Sequence, residues 1–179
     1  MNYQNVLDFW FHELTESAWW SKDDELDQLI TKRFGRVHAA ACAAELWKWR
    51  REPAGRLAEI VVLDQFSRNI FRGSARAFAN DAMALALSQE AVSVGADQSL
   101  DALPRAFLYM PFMHSESAHI HAEAVRLYAQ PGLEKNLEFE RQHKVIIDRF
   151  GRYPHRNDVL GRASTPEEIE FLTQPNSSF

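Results

Sequence analysis

Apolar residues recur at helical spacing from one end of the chain to the other, and no stretch alternates apolar and polar residues for long enough to predict a sheet. Within residues 24–34, Leu26, Ile30 and Phe34 lie one turn apart and would share one face of a helix. An alanine- and leucine-rich run stops at Gly95, a residue type that suits the left-handed end of a helix. We therefore predict an all-α fold of eight or nine helices packed as antiparallel pairs.

Capping residues and prolines predict where several helices begin and end. Ser21 or Asp23 is a candidate N-cap for the helix described above. A third helix is predicted to follow it and to end before Pro53, since the residue preceding a proline resists helical dihedral angles. Pro111 is expected to interrupt a helix, so that a kink, or a break between two helices, falls beside His114.

The last helix has a signature of its own. Thr165 and Glu168 match a capping box, in which each side chain bonds to the backbone N–H of the other residue. A chain of 179 residues suits one core, so we predict that residues 1–179 form a single helical domain. The polar tail, residues 173–179, is expected to be frayed.

Composition excludes several classes of protein. The net charge of −5 argues against nucleic-acid binding, which usually needs a basic face. The amino terminus lacks the basic start of a secretory signal, and no apolar run approaches the roughly 20 residues of a membrane helix, so we expect a cytoplasmic protein without membrane contact. Cys42 is the single cysteine, which excludes an internal disulfide. Dinucleotide, Walker, nucleophile-elbow and zincin motifs are absent, so no cofactor is predicted.

Arginines outnumber lysines three to one. They concentrate in residues 68–76 and 149–162, and the second segment has no matching run of acids. The guanidinium group presents a planar fork that fits carboxylate and phosphate. The bias therefore predicts that the partner is a small anionic ligand or the carboxyl end of a peptide.

The stretch DQFSRN forms a first polar cluster. Asp64 falls on the apolar stripe of its helix, where an isolated carboxylate is costly, so Arg68 one turn later is its expected partner. Arg68, Asn69 and Arg72 are candidate ligand-binding residues, and Asp64 is a candidate for orienting a catalytic acid or base. The alternative is that Asp64 and Arg68 form a structural ion pair at a helix end.

The stretch RFGRYPHRN forms a second cluster, and with the aspartate before it repeats the Asp-x-Phe-x-Arg spacing of the first. Its glycine and proline constrain a loop that would present Arg152, His155, Arg156 and Asn157 to an anion. The alternative is that these side chains bond to backbone carbonyls and tie down the loop. We expect the two stretches to build one site.

Histidines supply the candidate acid–base chemistry. His114 and Glu116, in the stretch MPFMHSE, place a group that titrates near neutral pH beside a carboxylate. His143 lies on the apolar stripe of a later helix and is expected to face the interior. The alternative for both histidines is that they are satisfied core residues.

Two Glu-x-x-His spacings, Glu116 to His119 and Glu140 to His143, match one element of di-iron helical bundles. Spacings of this kind arise by chance in a chain rich in glutamate, and a complete site requires two further inward carboxylates. We therefore predict no metal site, and we interpret His119 and His121 as residues of an exposed polar face.

Five strings occur in order along the chain: LDFWF, LDQFSRNIFRG, RAFANDAMAL, FLYMPFMHSE and HKVIIDRFGRYPHRNDVLGRASTPEEIEFL. Together they resemble the bacterial domain-of-unknown-function family 924 over almost the whole chain. The most characteristic strings of that family coincide with the three polar clusters. The resemblance implies an all-helical fold similar to the tetratricopeptide-like right-handed superhelix and implies no established activity, although no 34-residue repeat is visible in the chain.

Three functional hypotheses follow. In the first, the clusters line a pocket that binds a phosphate or carboxylate, with His114 or His143 as the acid or base of a hydrolytic reaction. In the second, a tetratricopeptide-like scaffold recognises a peptide or protein partner. In the third, the clusters form a buried structural network. Enclosure separates the first two, because a closed cavity favours a small ligand and an open groove favours a peptide.

Overall fold

The computed structural model describes residues 1–175, 177 and 178, and over these residues the chain is helical without any β-strand. The all-α prediction is therefore confirmed. The α-helices are α1 (Tyr3–Asp8), α2 (Asp24–Cys42), α3 (Pro53–Val61), α4 (Ser67–Ile70), α5 (Asp81–Ser93), α6 (Ala102–Met113), α7 (Ala118–Tyr128), α8 (Glu134–Phe150) and α9 (Pro166–Leu172). The tail predicted to be frayed includes residues 176 and 179, which lie outside the described residues.

Residues 53–70 form one helical body, in which a π-helical turn at Val62–Phe66 joins α3 to α4. Pro53 stands at the start of α3, where its missing N–H is not needed. Every side chain from 57 to 67 is buried, so this body lies at the centre of the protein and the π-helical turn carries Asp64 into the interior. With this body counted once, the described residues hold eight helical bodies, in agreement with the predicted number.

Helix α2 passes through Gly35 and ends at Cys42, and the predicted third helix does not form. Buried positions continue across the glycine, from Phe34 to Ala41, on one face. The packing of this face outweighs the roughly 1 kcal/mol that glycine costs inside a helix. The chain then turns, and only a short 3₁₀ helix, Trp47–Arg51, precedes α3.

Side-chain caps fix the starts of two helices, as predicted. Asp23 accepts hydrogen bonds from two backbone N–H groups in the first turn of α2. Thr165 and Glu168 form the reciprocal capping box of α9. Gly95 has a φ angle of 71°, in the left-handed region, and follows the end of α5.

Helix α6 passes through Pro111 and ends at Met113, so the proline does not interrupt it. The proline removes one backbone hydrogen bond, but every side chain from Ala106 to Met113 is buried, and this burial outweighs the loss. Of the two alternatives predicted beside His114, a kink or a break, the break is present, because residues 114–117 separate α6 from α7.

One large apolar core is built on α3, which packs against α1, α5 and α6. Helices α5, α6, α7 and α8 then pack in chain order, each against the next. A smaller apolar cluster of Ile146, Ile147 and Tyr153 lies at the end of α8 and in the loop that follows. No helix in the described part of the chain is long and apolar enough to cross a membrane.

Candidate functional site

The carboxylate of Asp64 and the imidazole of His114 form a hydrogen-bonded pair. Asp64 is 1% exposed, and its Oδ1 accepts a 2.8 Å hydrogen bond from Nδ1 of His114. Gln65 donates to the other carboxylate oxygen over 2.6 Å. The pair joins the π-helical turn to the carboxyl end of α6, and so brings together two of the three clusters seen in the sequence.

Asp64 is ionised in spite of its burial. Burial alone would raise the pKa of this carboxyl, but the charge of Arg68 and the contact with His114 hold the pKa well below its ordinary value. Nη1 of Arg68 lies 3.1 Å from Oδ1 of Asp64 and also donates to the backbone carbonyl of Asp64 over 2.8 Å. The predicted pairing of these two residues is confirmed.

The carboxylate decides which nitrogen of His114 carries the proton. An ionised carboxylate can only accept, so Nδ1 carries hydrogen and Nε2 of the neutral ring carries the lone pair. Burial and the charge of Arg68 lower the pKa of His114, against the opposing effect of Asp64, and so favour the neutral ring. Nε2 makes no hydrogen bond with any described residue, and this geometry suits a general base that an aspartate orients.

Two arginines share the carboxylate of Asp81. Arg68 donates to it through both terminal nitrogens, over 3.0 and 3.1 Å. Arg156 reaches the same carboxylate over 3.3 Å. Asp81 is the first residue of α5, where a negative charge also interacts favourably with the helix dipole. This carboxylate connects the loop after α8 to the first cluster.

Arg156 is held between two aromatic rings. Its guanidinium carbon lies 4.6 Å from the ring centroid of Phe78 and 4.5 Å from that of Tyr153. The side chain is 7% exposed, yet Nε has no hydrogen-bond partner in the part of the chain that the structure describes. Burial and the like charge of Arg68 lower its pKa. Arg156 therefore has donor capacity that an anion would satisfy.

His155 also has an unsatisfied ring nitrogen. Its Nδ1 is buried without a partner among the described residues, and its ring centroid lies 5.5 Å from that of Tyr153. Burial, and then the charge of Arg156, lower the pKa of His155 to about 4, so the ring is neutral near pH 7.

His143 approaches the same place from α8. It is buried, as predicted, and its Nδ1 donates to the carbonyl of Phe139 over 2.7 Å. Burial lowers its pKa to about 3. The residues that meet here are called the central cluster, and they are Asp64, Arg68, Asp81, His114, His143, His155 and Arg156.

Three predicted site residues, Glu116, Arg152 and Asn157, lie instead in a second network. This network also contains Arg162 and Glu168 and is called the loop anchor. Glu116 accepts bonds from Arg162 over 2.6 and 2.9 Å. Arg152 donates to Glu168 over 2.6 and 2.8 Å. Asn157 donates to Glu168 over 3.3 Å and accepts from Arg162 over 3.0 Å. These bonds tie the loop after α8 to the start of α9.

Asn69 and Arg72 lie outside both groups and face α2. Asn69 donates to Asp27 over 2.8 Å. Arg72 donates to the two oxygens of the same carboxylate over 2.5 and 2.8 Å. The fold therefore separates these two predicted ligand-binding residues from Asp64 and Arg68, although they are neighbours in the sequence.

One family model spans nearly the whole chain: the model described as "Bacterial protein of unknown function (DUF924)" matches residues 6–176. The chain belongs to the DUF924 family. A solved structure, that of the protein of unknown function ATU0120 from Agrobacterium tumefaciens, is 38% identical, has a TM-score of 0.90, and is matched over 95% of this chain and 96% of that chain. No curated protein matches this DUF924 chain. The family resemblance seen in the sequence is confirmed.

Two buried side chains of this DUF924 protein hold the backbone on either side of His114. Tyr153 donates its hydroxyl to the carbonyl of Met113 over 2.5 Å, and Nε2 of His121 donates to the carbonyl of Ser115 over 2.8 Å. The interpretation of His121 as an exposed residue was wrong, because its side chain is fully buried. The sequence does carry the signal, since His121 lies on the same buried helical stripe as the core residues of α7.

Glu140 completes this support. Its Oε1 lies 2.7 Å from Nδ1 of His121, both side chains are fully buried, and burial raises the pKa of Glu140. The described residues of the DUF924 chain contain no group of three histidine, cysteine or acidic side chains placed to hold a metal ion. Sequence reasoning also missed Asp81, since an aspartate that opens a helix is indistinguishable from an ordinary helix-dipole charge.

Proposed function

We propose that the central cluster binds a small anion on Arg156 and His155, beside an acid–base pair formed by Asp64 and His114. The observation that carries this proposal is that two consecutive residues each have a buried nitrogen without a hydrogen-bond partner in the described chain, Nε of Arg156 and Nδ1 of His155. Buried polar atoms are normally bonded, and the exceptions are explained by strain, by a catalytic role, or by a water or ion that satisfies them. We assign these two nitrogens to a bound anion.

The position of Arg156 supports a small occupant. The guanidinium is nearly enclosed, and the rings of Phe78 and Tyr153 fix it without using its hydrogen-bond donors. Its contact with Asp81 is long, and that carboxylate already accepts two bonds from Arg68. A carboxylate or phosphate group would supply the acceptors that Arg156 lacks. An extended peptide would reach this position only through its terminal carboxylate.

The Asp64–His114 pair supports acid–base chemistry on the bound molecule. Asp64 fixes the ring with its lone pair at Nε2, so His114 would accept a proton from water or from a substrate carbon or hydroxyl. Arg68 and Arg156 would balance negative charge that develops as the proton leaves. Hydrolysis of the bound anion, with His114 as general base, is the reaction class that this arrangement favours.

The loop anchor has an architectural role in this proposal. Glu116, Arg152 and Asn157 bond to other members of the anchor, and Glu116 also accepts the backbone N–H of Tyr153 over 2.7 Å. We infer that the anchor positions Tyr153, His155 and Arg156. The consecutive packing of α5 to α8 supports, as a proposal, the tetratricopeptide-like superhelix that the family resemblance implies.

The binding proposal is tested by thermal shift with formate, acetate, inorganic phosphate and a short peptide with a free carboxylate. The variant is Arg156→Gln, which keeps a polar side chain but removes the charge. The matched control is Arg149→Gln, because Arg149 is an exposed arginine of α8 paired with Glu167. We expect an anion to raise the melting temperature of the wild type and the control but not that of the Arg156 variant. Equal shifts in all three proteins, or none in the wild type, would overturn the proposal.

A further inference from the structure

We propose that the ligand of the central cluster is a monoanion, of the carboxylate class, and that it binds together with one proton taken up by His155. This inference rests on the anion-binding function proposed above. The arginines would accept either a carboxylate or a phosphate. A monoanionic ligand favours the carboxylate, because a phosphate group carries about −1.5 to −2 charges at neutral pH.

The central cluster contains four charged groups whose charges cancel. Arg68 and Arg156 supply two positive charges, and Asp64 and Asp81 supply two negative charges. The three histidine rings of the cluster are neutral near pH 7, since burial lowers the pKa of each one. The cluster is therefore balanced before any ligand enters.

An added anion disturbs this charge balance. A monoanion on Arg156 gives the cluster one surplus negative charge, in a place where that side chain is 7% exposed. An uncompensated buried charge is strongly unfavourable, and a proton on a neighbouring ring removes the surplus. A dianion would require two protons, and the second would have to enter a cluster in which one ring is already charged.

We assign the added proton to the ring of His155. Nδ1 of His155 is buried and has no partner in the described chain, and His155 is adjacent to Arg156. A protonated ring would donate from this nitrogen to the anion. Nδ1 of His114 already donates to Asp64 and Nδ1 of His143 already donates to a backbone carbonyl, so neither of these two nitrogens is available to donate to the anion.

Several charged groups act on His155. Arg156 and Arg68 oppose its protonation, as does a charge on His114, whereas Glu116 favours it. Glu116 is itself paired with Arg162. His143 also lies within electrostatic range, and Tyr153 contacts the ring of His155 directly. A bound anion is the added negative charge that would favour the protonated ring.

The test uses nitrate and sulfate, whose charges of one and two do not change between pH 5.5 and pH 8. Isothermal titration in two buffers of different ionisation enthalpy counts the protons taken up for each anion bound. We expect one proton for nitrate near pH 7 and an affinity that falls by up to about tenfold for each pH unit of increase. Nitrate binding without proton uptake, or sulfate binding as tight as nitrate binding with no additional proton, would overturn the inference.

His155→Asn removes the titrating ring, and His12→Asn, at an exposed position, is the control. We expect proton uptake to disappear in the first variant and to persist in the second. Persistent uptake in the His155 variant would refute the assignment. If that variant does not fold, ring nitrogen chemical shifts of wild-type His155 with and without nitrate decide the same question. Failure of nitrate, sulfate and every carboxylate to bind would instead refute the anion-binding function itself.

Discussion

Asp64 and His114 are 50 residues apart in the sequence, and a 2.8 Å hydrogen bond joins their side chains. The bond connects the central helical body, residues 53–70, to the residue that follows α6. Because Asp64 is buried and carries a charge, its three side-chain partners contribute to stability as well as to the geometry of the candidate site.

Replacing Asp64 with asparagine is expected to reduce the free energy of unfolding by about 3–5 kcal/mol, the usual result of breaking a buried ion pair. The matched control is Asp148→Asn. Asp148 occupies the corresponding position of the second Asp-x-Phe-x-Arg spacing, but it is 48% exposed and pairs with Lys144. The control is expected to lose less than about 1 kcal/mol. Urea denaturation followed by circular dichroism measures both, and equal losses would contradict this account of the two sites.

Removing the hydroxyl of Tyr153 is expected to destabilise the protein by about 1–3 kcal/mol, because Tyr153→Phe leaves the buried carbonyl of Met113 without its donor. The ring resonances of His114 are expected to shift, since that carbonyl is in the preceding residue. Tyr3→Phe is the control. The hydroxyl of Tyr3 makes no hydrogen bond with the residues that the structure describes. Unchanged His114 resonances in a folded Tyr153 variant would exclude the positioning effect.

His143 is expected to make stability depend on pH. Its pKa is lowered from 6.5 to about 3 in the folded protein, so between these values the unfolded chain binds more protons than the folded chain. The contribution of His143 to stability is thus present above about pH 6.5 and decreases as the pH falls. His143→Gln should weaken this dependence, by at most about 1.4 kcal/mol per pH unit. Unfolding free energies at pH 7, 6, 5 and 4 give the comparison, and parallel profiles would show that His143 titrates normally.

Two helical glycines are expected to respond to alanine in opposite directions. A Cβ atom at Gly55 would collide with the backbone carbonyl of Trp49, so Gly55→Ala should destabilise the protein by roughly 1–3 kcal/mol or more. Nothing in the described chain lies near a Cβ at Gly35, and Gly35→Ala should stabilise α2 by roughly 0.5–1 kcal/mol. Thermal unfolding of the two variants tests the difference, and a stabilised Gly55 variant would show that the helix shifts to accept the methyl group.

The candidate site was partly predictable because some of its residue types are unusual at their positions in the sequence. A carboxylate on the apolar stripe of a helix requires a partner, and Arg68 one turn away was identified as that partner. The meeting of the stretches around Asp64, His114 and Arg156 was also expected. Asp81 could not be recognised in the same way, because the arginine that it binds comes from another part of the chain. His121 was interpreted wrongly, although its position on the buried stripe of α7 is visible in the sequence.

The two Asp-x-Phe-x-Arg spacings show that spacing alone does not predict the bonding partners of the arginine. Arg68 bonds to the aspartate of its own spacing and to Asp81. Arg152 bonds to Glu168, in the last helix, and lies in the loop anchor. The same three residue types at the same spacing therefore take part in different networks, because the elements packed against them differ.

The sequence by itself determined the all-helical fold class, the caps of α2 and α9, and the family, because these depend on side-chain periodicity, on local hydrogen bonds and on residue order. Only the tertiary structure decided that α2 and α6 pass through Gly35 and Pro111, where burial outweighs a local cost of about 1–3 kcal/mol. The tertiary structure also decided which arginines are buried and which have a carboxylate partner for their hydrogen-bond donors. Electrostatic energy and burial depend on distance through space, and the chain acquires those distances only when its helices pack.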